Sequence, residues 1–299
     1  MLFCFKINFL ARHFFMKGLI EMNALVFQSD FGLGDGAVSA MHGVARMVNS
    51  DLIIDDLTHD IKPYNIFEAS YRILQTIEYW PKGTVFVSVV DPGVGSDRHS
   101  IVVKTKAGHY IVTPDNGTIS HVAKFIGLES ARIIDEVKDR LPFSENSHTF
   151  HGRDVYAYNG AKLASDEGYY HFLKEISLDE LVYSPIKEAK IEDGIIEGTI
   201  DILDIRFGSL WTNIPLDLLK RADIKQGDAI KVTIFYKNIK KYENQMTFGH
   251  SFADVGLGET IAYINSLINL GIAINQASFS DTYQIGTGAD WTIFIKKEI

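Results

Sequence analysis

From Asn23 onward, short apolar runs alternate with stretches whose apolar residues recur at helical spacing, and near residue 194 this alternation stops. ALVFQ (24–28) precedes AVSAMHGVARMV (37–48), and LIID (52–55) precedes NIFEASYRILQTIEYW (65–80). TVFVSVV (84–90), SIVVKT (100–105), YIVT (110–113) and ARIID (131–135) add strands, with helical stretches at 118–127 and Val155 to Ser165. Strands interleaved with helices of this length specify an α/β sheet covered by helices. YSPIKEAKIEDG (183–194) turns charged around a proline, and only β-type runs follow: 195–205, 228–236, 260–266, 270–275 and 291–297. Consecutive short strands in so little chain imply a small barrel or sandwich. Two domains are therefore expected, at 23–186 and 195–299.

The first 22 residues are apolar but broken by Lys6, Arg12, His13 and Lys17, which is too interrupted for a membrane span and lacks a clean signal-peptide core. An over-long start, with Met16 or Met22 as initiator, is the expectation. Composition narrows the partners. A net charge of -9 without a long basic run argues against a nucleic-acid surface and for small molecules. A single cysteine, Cys4, excludes an intramolecular disulfide and a cysteine metal cage, as in a cytoplasmic protein.

Four polar segments carry candidate chemistry. SDFGLGDG (29–36) is a glycine-rich turn from strand to helix, but Asp30 and Asp35 repel a phosphate, so a ribose diol or an ammonium group fits better. A helix cap by Asp35 and an Asx turn by Asp30 are the structural alternative. DPGVGSDR (91–98) follows a strand end, where open α/β sheets bind ligands, and its turn brings Arg98 back toward Asp91. TFHGRD (149–154) places His151 in a loop, with Thr149 and Asp154 able to serve the following helix start. In the second domain, Phe207 and Trp211 are candidates to stack on a purine, or else form a β core. Asp204 can grip a cation, and Asn265, Ser266, Asn275 and Gln276 can read polar edges. His59-Asp60 and PDNG (114–117) have sufficient readings as turns.

In this order, SDFGLGD, DPGVGSDR, PDNG, TFHGRD, FGSLWTNI (207–214), SFADV (251–255) and NS (265–266) resemble the S-adenosyl-L-methionine hydroxide adenosyltransferase family, from about Leu25 to Ile295. The resemblance implies an N-terminal α/β/α sandwich with a mixed sheet, a C-terminal all-β barrel, and a homotrimer or dimer of trimers with sites between subunits. It implies hydrolysis of S-adenosyl-L-methionine to adenosine and L-methionine, with that molecule as substrate and no cofactor or metal. Asp91, Arg98 and His151 match the catalytic group, and Asp30 the residue holding the ribose hydroxyls. Asp35 and Asp204 match carboxylates near the methionine amino group, and Phe207, Trp211 and Phe252 the pocket aromatics. Ser266 matches a residue near the carboxylate, while Asn275 and Gln276 lie in the segment passing the adenine. Ser209 stands where some relatives carry an adenine-reading Asn, and Leu267 where halogenating relatives carry an Arg.

Two other chemistries compete. Halide transfer on the same scaffold is disfavoured because Asp91 stands where halogenating relatives carry Tyr, and Gly152 where fluorinating ones carry Ser. A metal-dependent phosphohydrolase would draw on Asp30, Asp35, Asp55, Asp56, His59, Asp60, Asp91 and His151. A nucleoside-binding regulatory module would use the same pocket without needing Asp91 and Arg98.

Overall fold

The computed structural model describes residues 24–298, so the expected over-long start at 1–22 lies outside the described residues. The chain divides into two compact units, one ending at Ser184 and the other beginning at Pro185.

The first unit is built on β1 (Ala24–Ser29), β2 (Ile53–Thr58), β3 (Val85–Val89), β4 (Ser100–Thr105), β5 (Tyr110–Pro114), β6 (Leu128–Ile134) and β7 (Lys174–Ile176). Their order in the sheet is β2-β1-β3-β5-β4-β6-β7. The pairs from β2 to β5 are parallel and the rest antiparallel, which makes the sheet mixed. Every residue of β1, β3 and β5 is buried, as expected of strands covered on both faces. Alternate residues serve opposite layers. Leu25 and Phe27 pack with Met41 and Ala45 of α1 (Ala37–Val48), whereas Val26 packs with Ile73 and Ile77 of α2 (Ile66–Ile77) and Val122 of α3 (Ser120–Phe125). The two-residue period of the strands thus produces the α/β/α sandwich.

The expected last helix, Val155 to Ser165, is in fact two pieces. A π-helical turn, Gly152–Ala157, leads into α4 (Tyr158–Ser165). The π turn has no side-chain cap: Asp154, expected at a helix start, is fully buried and paired with Arg153 at 2.6 Å.

The second unit contains β8 (Lys190–Glu192), β9 (Ile195–Asp204), β10 (Ser209–Pro215), β11 (Ala229–Tyr236), β12 (Ile239–Phe248), β13 (Thr260–Ile264), β14 (Asn269–Ile274) and β15 (Gly288–Lys297). Pairing of β10 with β9 closes seven of these into a barrel, and β8 adds to the outside edge of β9. Ile230, Val232 and Ile234 of β11 point inward with Ile293 and Ile295 of β15, while the intervening residues face out. The seam between β12 and β13 is short, holding only Thr247 and Phe248 against Ile261 and Ala262. Among the described residues no helix is long and apolar enough to cross a membrane.

Candidate functional site

β1 and β3 are neighbouring parallel strands in which Ser29 pairs with Val89, so their carboxyl ends deliver Asp30 and Asp91 side by side. This is where open α/β sheets form ligand crevices. A cavity of about 350 Å³ lies there, lined by Asp30, Phe31, Tyr64, Asp91, Val94, Thr149, His151 and Gly152, among others. Asp30 makes no Asx turn of its own. Its Oδ2 accepts from the Tyr64 backbone N–H at 2.8 Å, and Tyr64 is held at a left-handed φ of 68°.

The Pro-Gly turn after β3 folds back as the spacing suggests. Val94 N–H donates to the Asp91 carbonyl, Gly95 takes a φ of 78°, and Arg98 returns to the Asp91 carboxylate. Arg98 Nε donates to Asp91 Oδ1 at 2.9 Å and Nη2 to Oδ2 at 2.5 Å, a bidentate pair between largely buried groups. On its other side Nη1 donates to Glu136 Oε1 at 2.8 Å and to Ser100 Oγ at 3.1 Å. Burial opposes the Arg98 charge, but the carboxylates Asp91 and Glu136 outweigh it and raise its pKa further. His151 is 3 % exposed, with Nδ1 3.3 Å from Arg98 Nη2 and 3.4 Å from Glu136 Oε2. Burial lowers the His151 pKa; Glu136 and Asp91 pull it up, while Arg98 and Arg140 push it down.

Sequence reasoning missed Glu136, together with Ser100 and Tyr156, whose hydroxyls lie 2.8 Å apart. Glu136 follows β6, belongs to no motif, and reaches the site only because β6 pairs with β4. Burial resists its ionisation, yet hydrogen bonds from Ser100 and Arg98 win and hold its pKa below the ordinary carboxylate value. Gly152 admits a close approach: a Cβ there would fall 2.8 Å from Cε2 of Phe31.

Asp35 does not cap α1, whose N-cap is Gly36 without a side-chain bond; its Oδ1 instead accepts from the Ala37 N–H at 2.9 Å, two residues on, in an Asx-type turn. Of the acidic and imidazole set considered for a metal, Asp56 and His59 come close enough to share a ligand cluster. Among the described residues the only three such side chains with ligand atoms within 4.8 Å of one another are His42, Asp56 and His59. There Asp56 Oδ1 meets both His Nε2 atoms, at 2.8 and 3.0 Å, and His59 Nδ1 bonds Ser29 Oγ at 2.7 Å. His42 was not among the sequence candidates.

In the barrel unit the candidates separate. Trp211 is 8 % exposed and donates from Nε1 to Tyr263 Oη at 3.1 Å, whereas Phe207 stands 69 % exposed on the β9–β10 turn. Phe252 packs its ring 5.0 Å from that of Tyr263, so Tyr263, absent from the sequence candidates, joins the two aromatics. Ser209 is buried opposite Asp204 in the β9–β10 ladder. Asn265 turns inward to bond the Leu267 and Asn269 N–H groups while Ser266 is exposed. Asn275 donates to the Val255 carbonyl, and the exposed Gln276 adopts a φ of 60°.

Comparison with known proteins places this geometry in context. Residues 25–172 match the SAM hydroxide adenosyltransferase N-terminal domain and residues 198–292 the C-terminal domain of the same family. An (R)-S-adenosyl-L-methionine hydrolase of Methanocaldococcus jannaschii is 38% identical over 73% of this chain and 75% of its own. A fluorinase of Actinopolyspora mzabensis is 26% identical over 88% of this chain and 94% of its own. A crystal structure of an uncharacterized conserved protein from Thermotoga maritima superposes with a TM-score of 0.82 at 30% identity, covering 91% of this chain and 99% of that one.

Proposed function

Because the chain belongs to the SAM hydroxide adenosyltransferase family, we propose that it cleaves S-adenosyl-L-methionine with water to adenosine and L-methionine. The observation that carries this reading is the Asp91–Arg98–His151 group at the wall of a cavity that also presents Asp30. Water attacks the ribose C5′ in line with the sulfonium, and methionine leaves as a neutral thioether. As the water gives up a proton, the negative charge developing on its oxygen is cancelled against the sulfonium, so a cavity that excludes bulk water favours the step. Asp91 and Arg98 hold the water, and Asp30 accepts the ribose hydroxyls. Asp35, Asp204, Phe207, Ser209, Trp211, Phe252, Ser266, Asn275 and Gln276 are the proposed remaining substrate contacts, in a homotrimer. The reaction written this way calls on no cofactor.

Halide transfer fits less well. Two carboxylates, Asp91 and Glu136, already bind the Arg98 guanidinium, which leaves no spare positive charge there for a halide.

The relative from M. jannaschii carries in its name the R configuration at sulfur, so the test uses both sulfonium epimers. Purified protein is incubated with each in ¹⁸O-water, with and without chelator and halide. Adenosine labelled at its 5′ oxygen, insensitive to chelator, is the expected product. Absence of adenosine with either epimer, a 5′-halonucleoside, or loss of activity with chelator overturns the reading.

A further inference from the structure

Which group removes the proton from the attacking water depends on the tautomer of His151, and two neighbours compete to set it. Arg98 Nη2, hydrogen-bonded to Nδ1 at 3.3 Å, can only donate; Glu136 Oε2, at an ion-pair distance of 3.4 Å from the same nitrogen, can only accept. If Arg98 prevails, the proton sits on Nε2; if Glu136 prevails, it sits on Nδ1. Nε2 is buried and, among the described residues, has no hydrogen-bond partner. In the substrate-free protein a donor there would lack an acceptor, the costlier of the two outcomes, whereas an unprotonated Nε2 is left to accept from a water that bound substrate brings against His151 in the cavity wall.

Building on the hydrolytic reading above, we propose that Glu136 is a positioning residue that holds the His151 proton on Nδ1 and leaves Nε2 as the base for the attacking water. Both Asp91 oxygens already accept from Arg98, which suits Asp91 to orienting that water. In the step, the water oxygen forms its bond to C5′ and the C5′–S pair goes to sulfur. One water proton passes to His151 Nε2. The resulting imidazolium needs an acceptor at Nδ1, and Arg98 cannot be one. Glu136 can, and it is itself fixed by Arg98 Nη1 at 2.8 Å and Ser100 Oγ at 2.5 Å. A carboxylate that orients an imidazole and stabilises its charged form is the general logic of a catalytic histidine and its orienting partner.

Glu136→Gln separates these roles, because the amide can donate to Nδ1 and so reverses the tautomer without removing bulk. The charged groups facing His151 are Glu136, Asp91, Arg98 and Arg140. Loss of the Glu136 charge therefore moves the acidic limb of the kcat/KM profile to lower pH. We expect kcat to fall by about 100-fold with KM changed by less than about threefold. Glu136→Asp, which keeps the charge, recovers part of the loss. Independently of substrate, ¹⁵N NMR of histidine-labelled protein at pH 8 reads the tautomer: unprotonated Nε2 in the parent and protonated Nε2 in Glu136→Gln. An unchanged tautomer, or unchanged kcat and pH profile in a variant with native thermal stability, overturns the proposal. A parent that shows the expected tautomer but forms no adenosine sinks the hydrolytic reading and leaves the role of Glu136 in setting the tautomer standing.

Discussion

At the scale of single residues, the site is organised by one guanidinium shared between two carboxylates. Removing Asp91 leaves Arg98 still bound by Glu136 and Ser100, whereas removing Arg98 leaves Asp91 and Glu136 without their common partner. Stranding a buried charge costs more than losing half of a shared network. Arg98→Met should therefore lower stability by about 3 kcal/mol and Asp91→Asn by about 1 kcal/mol, as read from urea midpoints, while both abolish most turnover. Equal costs would show that Glu136 does not share the charge. Asp30 makes a second case. It braces the left-handed Tyr64 through its backbone N–H, and in the proposed reading it accepts the ribose hydroxyls as well. Asp30→Ala should weaken adenosine binding by about tenfold or more, measured by calorimetry; an unaltered Kd sinks the ribose assignment.

At the scale of elements, the informative one is the helical segment after His151. Its apolar pattern is helical, and α4 forms as the pattern predicts, but the turn that carries the site residues is π-helical. Such turns occur often at functional sites. Here the turn sets Gly152 against the Phe31 ring, with both in the cavity wall. A methyl group at Gly152 must displace that ring. Gly152→Ala should cost about 1–3 kcal/mol and weaken substrate binding, and Phe31→Leu in the same chain should restore part of both. If the double variant is no better than the single one, the contact is not the cause. β12 teaches the opposite lesson. Its run IKKYENQMTF buries Tyr242, Met246 and Phe248 and exposes a charged face, so its sequence reads as a polar loop until the neighbouring strands are in place.

For the whole molecule, acid should act first on the α/β unit. His109 and His121 are buried there, and burial, with Lys82 and Lys124 nearby, lowers their pKa values from 6.5 to about 4. Between these values the unfolded chain binds protons that the folded chain refuses. Stability is therefore complete above about pH 6.5 and falls as the pH drops toward 4. The barrel carries only His250. Urea midpoints of the full chain should decline from pH 7 to 4.5, and His121→Leu should make the decline shallower whatever its effect at pH 7. An identical slope would clear His121 of the acid sensitivity. The proposed trimer has its own test. Proposed water and ribose contacts precede Ser165, while most for adenine and methionine follow Asp201. Mixing Asp91→Ala chains with Phe207→Ala chains should restore some turnover, and no rescue despite demonstrated subunit exchange counts against shared sites.

Much of this protein is legible in one dimension. Periodicity of 3.6 or 2 residues is a local property, so the strands β1, β3 and β4, the helix α1 and the change to a β-barrel unit can be read directly, whereas that unit's short helices Leu216–Arg221 and Phe279–Tyr283 cannot. The seven-residue spacing of Asp91 and Arg98 is local too, and a Pro-Gly turn suffices to close it. What required the tertiary structure is whatever depends on pairing between distant segments. Glu136 lies 38 residues from Arg98 and meets it only through the β4–β6 ladder. His42 reaches Asp56 only because α1 packs beside β2. Tyr263 joins Trp211 to Phe252 only because Gly271 of β14 lies between Trp211 and Tyr263 in the sheet. Local sequence sets which face of an element is apolar, but which polar side chains end up sharing a buried volume is decided by sheet order, and sheet order has no local signature.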